Sequence, residues 1–119
     1  MDVQLKQQIE SLQKQQEGLK NKVTEETRKA SGYTESNKHG TMGSHTTVHA
    51  YAKRYEDSLS PPKNNSEVIM MERTLKTQFL FDVDKDLAPL NQALDALRNN
   101  KAEILAKQLE LSKLSTLPL

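Results

Sequence analysis

Cysteine and tryptophan are absent from this chain of 119 residues, phenylalanine occurs twice and tyrosine three times. Without cysteine there can be neither a disulfide nor a thiolate metal site. The scarcity of aromatics removes the side chains that bury the most area each. Apolar residues make up 34% of the chain, below the roughly 45% usual for a globular domain. Stability is therefore expected from aliphatic helix seams or from another protein rather than from a large private core. No apolar run is long enough to cross a membrane and no secretory leader is recognisable, so membrane insertion is not expected. The location is read as intracellular, cytoplasmic or nuclear.

An excess of either charge is also missing. Lysine and arginine number 17, aspartate and glutamate 16, and no segment concentrates the basic field that a phosphate backbone requires. Nucleic acid is not an expected partner. Equally absent are a nucleophile beside a base, a glycine-rich phosphate loop and a pair of carboxylates in an evident cleft. The chain is read as non-catalytic, with no cofactor.

What the sequence does contain is helical periodicity. From Leu5 the stripe positions are spaced 4, 3, 4, 3, 4, with a glutamine at one of them. This places Leu5, Leu12 and Leu19 at d and Ile9, Gln16 and Val23 at a of a heptad. The stripe is narrower than the apolar face of an ordinary globular helix and fits a seam with one other helix. Its flanking positions include Lys6, Lys20, Lys22 and Lys29 but no acid. A parallel homodimer would thus gain no opposite-charge pairs, and a helix from a different subunit is the expected partner. A helix of the chain's own bundle is the alternative, and a homo-oligomer remains open. Gly18, at an outward position, costs this helix about 1 kcal/mol relative to alanine.

A second periodic region begins near residue 66. Asn64 followed three residues later by Glu67 has the form of a capping box, opening a helix in which Val68, Met71, Leu75 and Phe79 share a face. Farther on, Leu87, Leu90, Leu94, Leu97, Lys101, Ile104, Gln108 and Leu111 follow alternating spacings of three and four. Pro89 is compatible with a first helical turn, where amide hydrogens lack acceptors. Asp86 is the expected N-cap, with Asp82 and Asp84 near the positive end of the helix dipole. The triplet of aspartates imitates a calcium loop, but Leu87 and Ala93 replace the glycine and glutamate that the loop needs. Leu105, Leu109 and Leu114 broaden the last helix, as expected of a helix packed by more than one neighbour.

Between these regions lies a stretch rich in glycine, serine, threonine and histidine. Val48, Tyr51, Ala52, Tyr55 and Leu59 recur there at helical spacing. His39, His45 and His49 offer too few ligands for zinc, so no metal is expected. Ser31, after two basic residues, and Ser60, before a proline, are candidate phosphorylation sites.

These readings combine into an all-α, elongated helical or coiled-coil protein. Residues 1–30 form an N-terminal heptad helix, and residues 31–65 a flexible linker with one short helix at about 46–58. Residues 66–114 form a helical assembly region, either a helical pair or one kinked long helix, and residues 115–119 a tail. The expected function is that of a coiled-coil subunit or adaptor of a larger intracellular complex, binding other protein subunits through its heptad stripes. A small helical chaperone or inhibitor of a client protein is the alternative, as is a self-assembling structural component of a viral or phage particle.

Overall fold

The computed structural model describes residues 2–32 and 42–115. Every regular element among them is helical: α1 (Asp2–Gly32), α2 (Met42–Asp57), a 3-10 turn (Pro62–Asn64), α3 (Ser66–Gln78), a single turn α4 (Val83–Asp86) and α5 (Ala88–Ser115). The all-α class expected from periodicity is the class found. The middle is more helical than its composition implied. Ser31 and Gly32 complete α1, and α2 starts at Met42, four residues before the expected Thr46. The rest of the expected flexible stretch, residues 33–41, and residues 116–119 of the tail lie outside the described residues.

Local chemistry explains the boundaries. Asp57 ends α2 ahead of Pro61 and Pro62, neither of which could continue a helical hydrogen-bond ladder. The cap of α3 is Asn65, not Asn64. Asn64 is taken up by the 3-10 turn, whereas Asn65 is extended (φ −84°, ψ 119°), and its side chain accepts from the amides of Glu67 at 2.9 Å and Val68 at 3.3 Å. At the other end of α3, Leu80 adopts φ 60°, a left-handed conformation that costs a leucine roughly 1–2 kcal/mol. This turn lets the Phe81 amide donate to the Leu75 carbonyl at 3.0 Å and brings Phe81 into the core. Asp86 does not cap α5. Its carboxylate accepts from the Asp82 amide at 2.9 Å across α4, and the Leu87 carbonyl accepts the first α5 bond, from Asn91 at 2.8 Å. Pro89 lies in the first turn of α5, where it displaces no helical bond.

The helices pack into a bundle with an extension. One apolar cluster joins Val23 and Ala30 of α1, Val48, Tyr51, Ala52 and Tyr55 of α2, Val68 and Leu75 of α3, Phe81, Leu87, and Leu90, Ala93, Leu94 and Leu97 of α5. The cluster thus holds the end of α1 against the start of α5. Asn100, farther along α5, reaches back to the Leu12 carbonyl at 3.0 Å. The two long helices therefore run antiparallel. Their contact is the most extensive of any helix pair, and it continues beyond the other helices as a two-stranded stalk in which Leu5, Ile9 and Ile104 are buried. The molecule measures 63 × 26 × 20 Å.

Candidate protein interface

The residues expected to form a seam face inward, with the exception of Gln108, and within this chain the neighbour of the α1 stripe is its own α5. Leu5, Ile9 and Val23 are buried, and Leu12, Gln16 and Leu19 are half-buried along the same edge of α1. Val68 and Leu75 are buried, and Met71 and Phe79 pack on the same core from α3. Leu87, just before α5, and Leu90, Leu94, Leu97 and Ile104 on it are buried, and Leu111 is half-buried. Gln108, expected at a seam position, is exposed, and Lys101 is half-buried because its ammonium reaches Glu56 of α2 at 3.2 Å.

The reason is a choice between two registers. Leu97, Ile104 and Leu111 belong equally to a heptad through Lys101 and Gln108 and to one through Asn100 and Lys107. In the stalk α1 lies on the second, so Asn100 is buried at 5% exposure and Lys107 is half-buried. Sequence reading missed Asn100, although its place between Leu97 and Ile104 carried the signal. Its amide group donates to Leu12, but its Oδ1 has no partner among the described residues. A buried acceptor of this kind lowers stability while fixing alignment, because a slipped register would strand the whole amide.

The opposite face of α5 carries a continuous line of positions. Over the first half of the helix α2 covers it, running parallel to α5. The Tyr51 hydroxyl donates to Asn91 Oδ1 at 2.7 Å, and one turn on the Tyr55 hydroxyl donates to Asp95 Oδ1 at 2.6 Å. Arg98 then clasps the chain leaving α2, donating from Nη2 to the carbonyls of Ser58 at 2.9 Å and Ser60 at 3.3 Å. Beyond this clasp α2 has ended, but the line continues as Ala102, Leu105, Ala106 and Leu109, which is helical spacing for a single face. Leu105 is 60% and Leu109 52% exposed. These residues, with Glu110 and Lys113, line an open apolar groove of about 440 Å³. Leu105 and Leu109 were expected to widen the packing face of α5. Among the described residues only α1 packs on the stalk half of the helix, and on its other side.

A second concavity, of about 520 Å³, opens between α2, α3 and α5, with Tyr51, Tyr55, Glu72, Asp84 and Asp95 among its lining residues. Burial raises both phenols above their ordinary range. At Tyr55 the hydrogen bond to the Asp95 carboxylate adds to that rise, whereas at Tyr51 the bond to Asn91 opposes it. Both hydroxyls therefore remain donors at neutral pH, and both are committed to α5. The rings of His45 and His49 lie with centroids 4.4 Å apart and planes tilted by 46°, and burial, then the neighbouring His45, lowers the pKa of His49. No group of three or more metal-ligating side chains occurs among the described residues, which do not include His39. Ser31 is buried, with its hydroxyl donating to the Arg28 carbonyl at 2.9 Å, while Ser60 is exposed.

The arrangement defines a class by shape alone: an antiparallel helix pair bundled with shorter helices at one end and bare on one face at the other. No described helix is long and apolar enough to cross a membrane. Comparison with protein-family models, curated proteins and solved structures gives no match.

Proposed function

We propose that this chain is a non-catalytic helical subunit of an intracellular multi-protein assembly, an adaptor whose bundled end serves as an anchor and whose stalk presents a docking face. The observation that supports this reading is the uncovered stripe of Ala102, Leu105, Ala106 and Leu109. Isolated exposed leucines are ordinary on protein surfaces, but a spaced apolar line on a rigid helix has the form of a helix-binding face. The N-terminal stripe supplies the scaffold for it: by pairing with α5, α1 holds the stalk straight and leaves the far side of α5 free.

The test compares the wild-type chain with a Leu105→Asp, Leu109→Asp double variant in quantitative affinity purification from the native source. Both positions are exposed, so each change should shift stability by no more than about 0.5 kcal/mol. A defined set of proteins retained by the wild type and lost by the variant is the expected result. Identical sets from both chains would overturn the proposal.

A further inference from the structure

We propose that Ser60 is the acceptor of a proline-directed serine kinase, and that the phosphate it receives is held by Arg98. The modified loop joins α2 to α3, and none of the residues around it lines the apolar groove of α5.

The sequence restricts the acceptor to one position. Four prolines occur in the chain, and Ser60 is the only serine or threonine that precedes any of them. Lys63 follows it by three residues. An enzyme that selects a hydroxyl before proline, with a base just beyond, therefore has a single candidate here. Pro61 (φ −53°, ψ 130°) holds the polyproline II conformation and carries no amide hydrogen, so the chain leaves Ser60 extended rather than helical.

The fold leaves that hydroxyl free. Ser60 is exposed, and its Oγ makes no hydrogen bond among the described residues. Only its carbonyl is engaged, accepting from Ser58 Oγ at 2.7 Å and from Arg98 Nη2 at 3.3 Å. The other serines of interest differ. Ser58 is buried, and its Oγ also accepts from Asn65 Nδ2 at 3.0 Å; Ser31 is buried in α1 with its hydroxyl on the Arg28 carbonyl. Leu59 and Pro61, on either side of Ser60, are exposed. An enzyme thus reaches the acceptor by breaking a few loop hydrogen bonds, without unwinding a helix. In the transfer, Ser60 Oγ attacks the γ-phosphorus of a nucleoside triphosphate, and the O–P bond forms as the bond to the β-phosphate oxygen breaks. The nucleoside diphosphate leaves, and the hydroxyl proton passes to the carboxylate base of the kinase.

Charge decides what holds the product. Lys53 and Arg54 line the groove that contains Ser60, but so do Asp57 and Glu67, and the four are paired, Lys53 with Asp57 at 3.2 Å and Arg54 with Glu67 at 3.3 Å. On α5, Lys101 is paired with Glu56 at 3.2 Å, and Asp95 accepts the Tyr55 hydroxyl at 2.6 Å. Lys63 is exposed, where water screens its charge. Arg98 differs from all of these. It is half-buried, forms no ion pair among the described residues, and donates to two neutral carbonyls, those of Ser58 at 2.9 Å and Ser60 at 3.3 Å. A phosphate on Ser60 brings a charge of about −1.5 to −2 and three acceptor oxygens to the residue that Arg98 already touches. A guanidinium binds such a group through paired, charge-assisted hydrogen bonds that are stronger than bonds to carbonyls. Phosphorylation therefore turns the Arg98 clasp from a neutral contact into an ion pair between the exit of α2 and α5.

The full-length chain incubated with a proline-directed serine/threonine kinase and magnesium ATP is expected to gain one phosphate, on Ser60, and Ser60→Ala none. A wild-type chain left unmodified would overturn the assignment. The second ionisation of the phosphate is then followed by phosphorus NMR. An ordinary phosphoserine titrates near 6, and in the phosphorylated chain a value about 0.5 lower is expected because the guanidinium favours the dianion. In a synthetic phosphopeptide of residues 55–63, and in phosphorylated Arg98→Gln, the value should return to about 6. Equal values in the chain and the phosphopeptide would overturn the pairing with Arg98. So would a lowered value retained by Arg98→Gln, which would assign the phosphate to Lys63 or to the bases of α2. Mass spectrometry of residues 55–63 from the chain purified from its native source is expected to find phosphate on Ser60. Recovery of that peptide only in unmodified form would overturn Ser60 as a site in use and leave the docking reading standing.

Discussion

The two ends of the α1–α5 pair use the same backbone geometry and reach different degrees of closure. In the bundled end, α5 is covered by α1 on one side and α2 on the other, and Leu87, Leu90, Ala93, Leu94 and Leu97 are buried. In the stalk it has α1 alone. There Asn100 and Ile104 are the buried residues of α5 among those described, and on the side away from α1 Leu105 and Leu109 lie open. Closure thus comes from the third helix rather than from the quality of the two-helix seam. A helix pair buries one stripe on each partner; a second neighbour is needed before a wide apolar face becomes core.

The sharpest way to break this comparison is a matched truncation at each end. Leu94→Ala, at a fully buried position, should cost about 4 kcal/mol, because the surrounding helices cannot collapse into the cavity. Ile104→Ala should cost about 2 kcal/mol, since the two-stranded stalk has room to relax and water nearby. Urea unfolding midpoints of the two variants give the answer. Equal losses would mean that the stalk is packed as tightly as the bundle.

Asn100 sharpens the comparison from the polar side. Replacing it with leucine removes the unpartnered Oδ1 and should raise stability by about 1 kcal/mol. The same change should weaken the register. A higher melting temperature is expected together with more than one set of stalk amide signals. A lower melting temperature with a single set would show that the bond to Leu12 outweighs the stranded acceptor.

Gly18 offers the smallest effect. It lies on the exposed side of α1 with no atom within 4 Å of where a Cβ would stand. Gly18→Ala should therefore stabilise by about 0.8 kcal/mol through helix propensity alone. Amide exchange should show the gain confined to α1 and the turns of α5 that pack on it, because Gly18 is local to that helix. A gain spread evenly over α2 and α3 would mean that stalk and bundle open as one unit.

Much of the fold was legible because helix faces are written locally. The spacing of Leu5, Ile9, Leu12, Gln16, Leu19 and Val23 identifies the inward edge of α1, and that of Val68, Met71, Leu75 and Phe79 does the same for α3. Capping was legible only to within a residue or two. Asn64 and Asn65 are chemically equivalent candidates, and the preceding prolines decided between them by winding Asn64 into a 3-10 turn. The choice between Lys101 and Asn100 was not legible. Both complete a heptad with Leu97 and Ile104, and what distinguishes them is the carboxylate of Glu56, brought in from another helix.

The sequence by itself therefore determined the class, the helices and the side of each that avoids water, since these follow from periods of 3.6 residues and from side chains close along the chain. Only the tertiary structure decided whose surface meets each stripe. The stripe of α1 lies on α5 of the same chain because the path through α2 and α3 returns α5 antiparallel beside it. Among the described residues no other helix covers the stripe of Leu105 and Leu109, because α2 stops at Asp57, ahead of two prolines and about five turns before α5 does. Both outcomes depend on contacts between residues far apart in sequence, and periodicity carries no information about those.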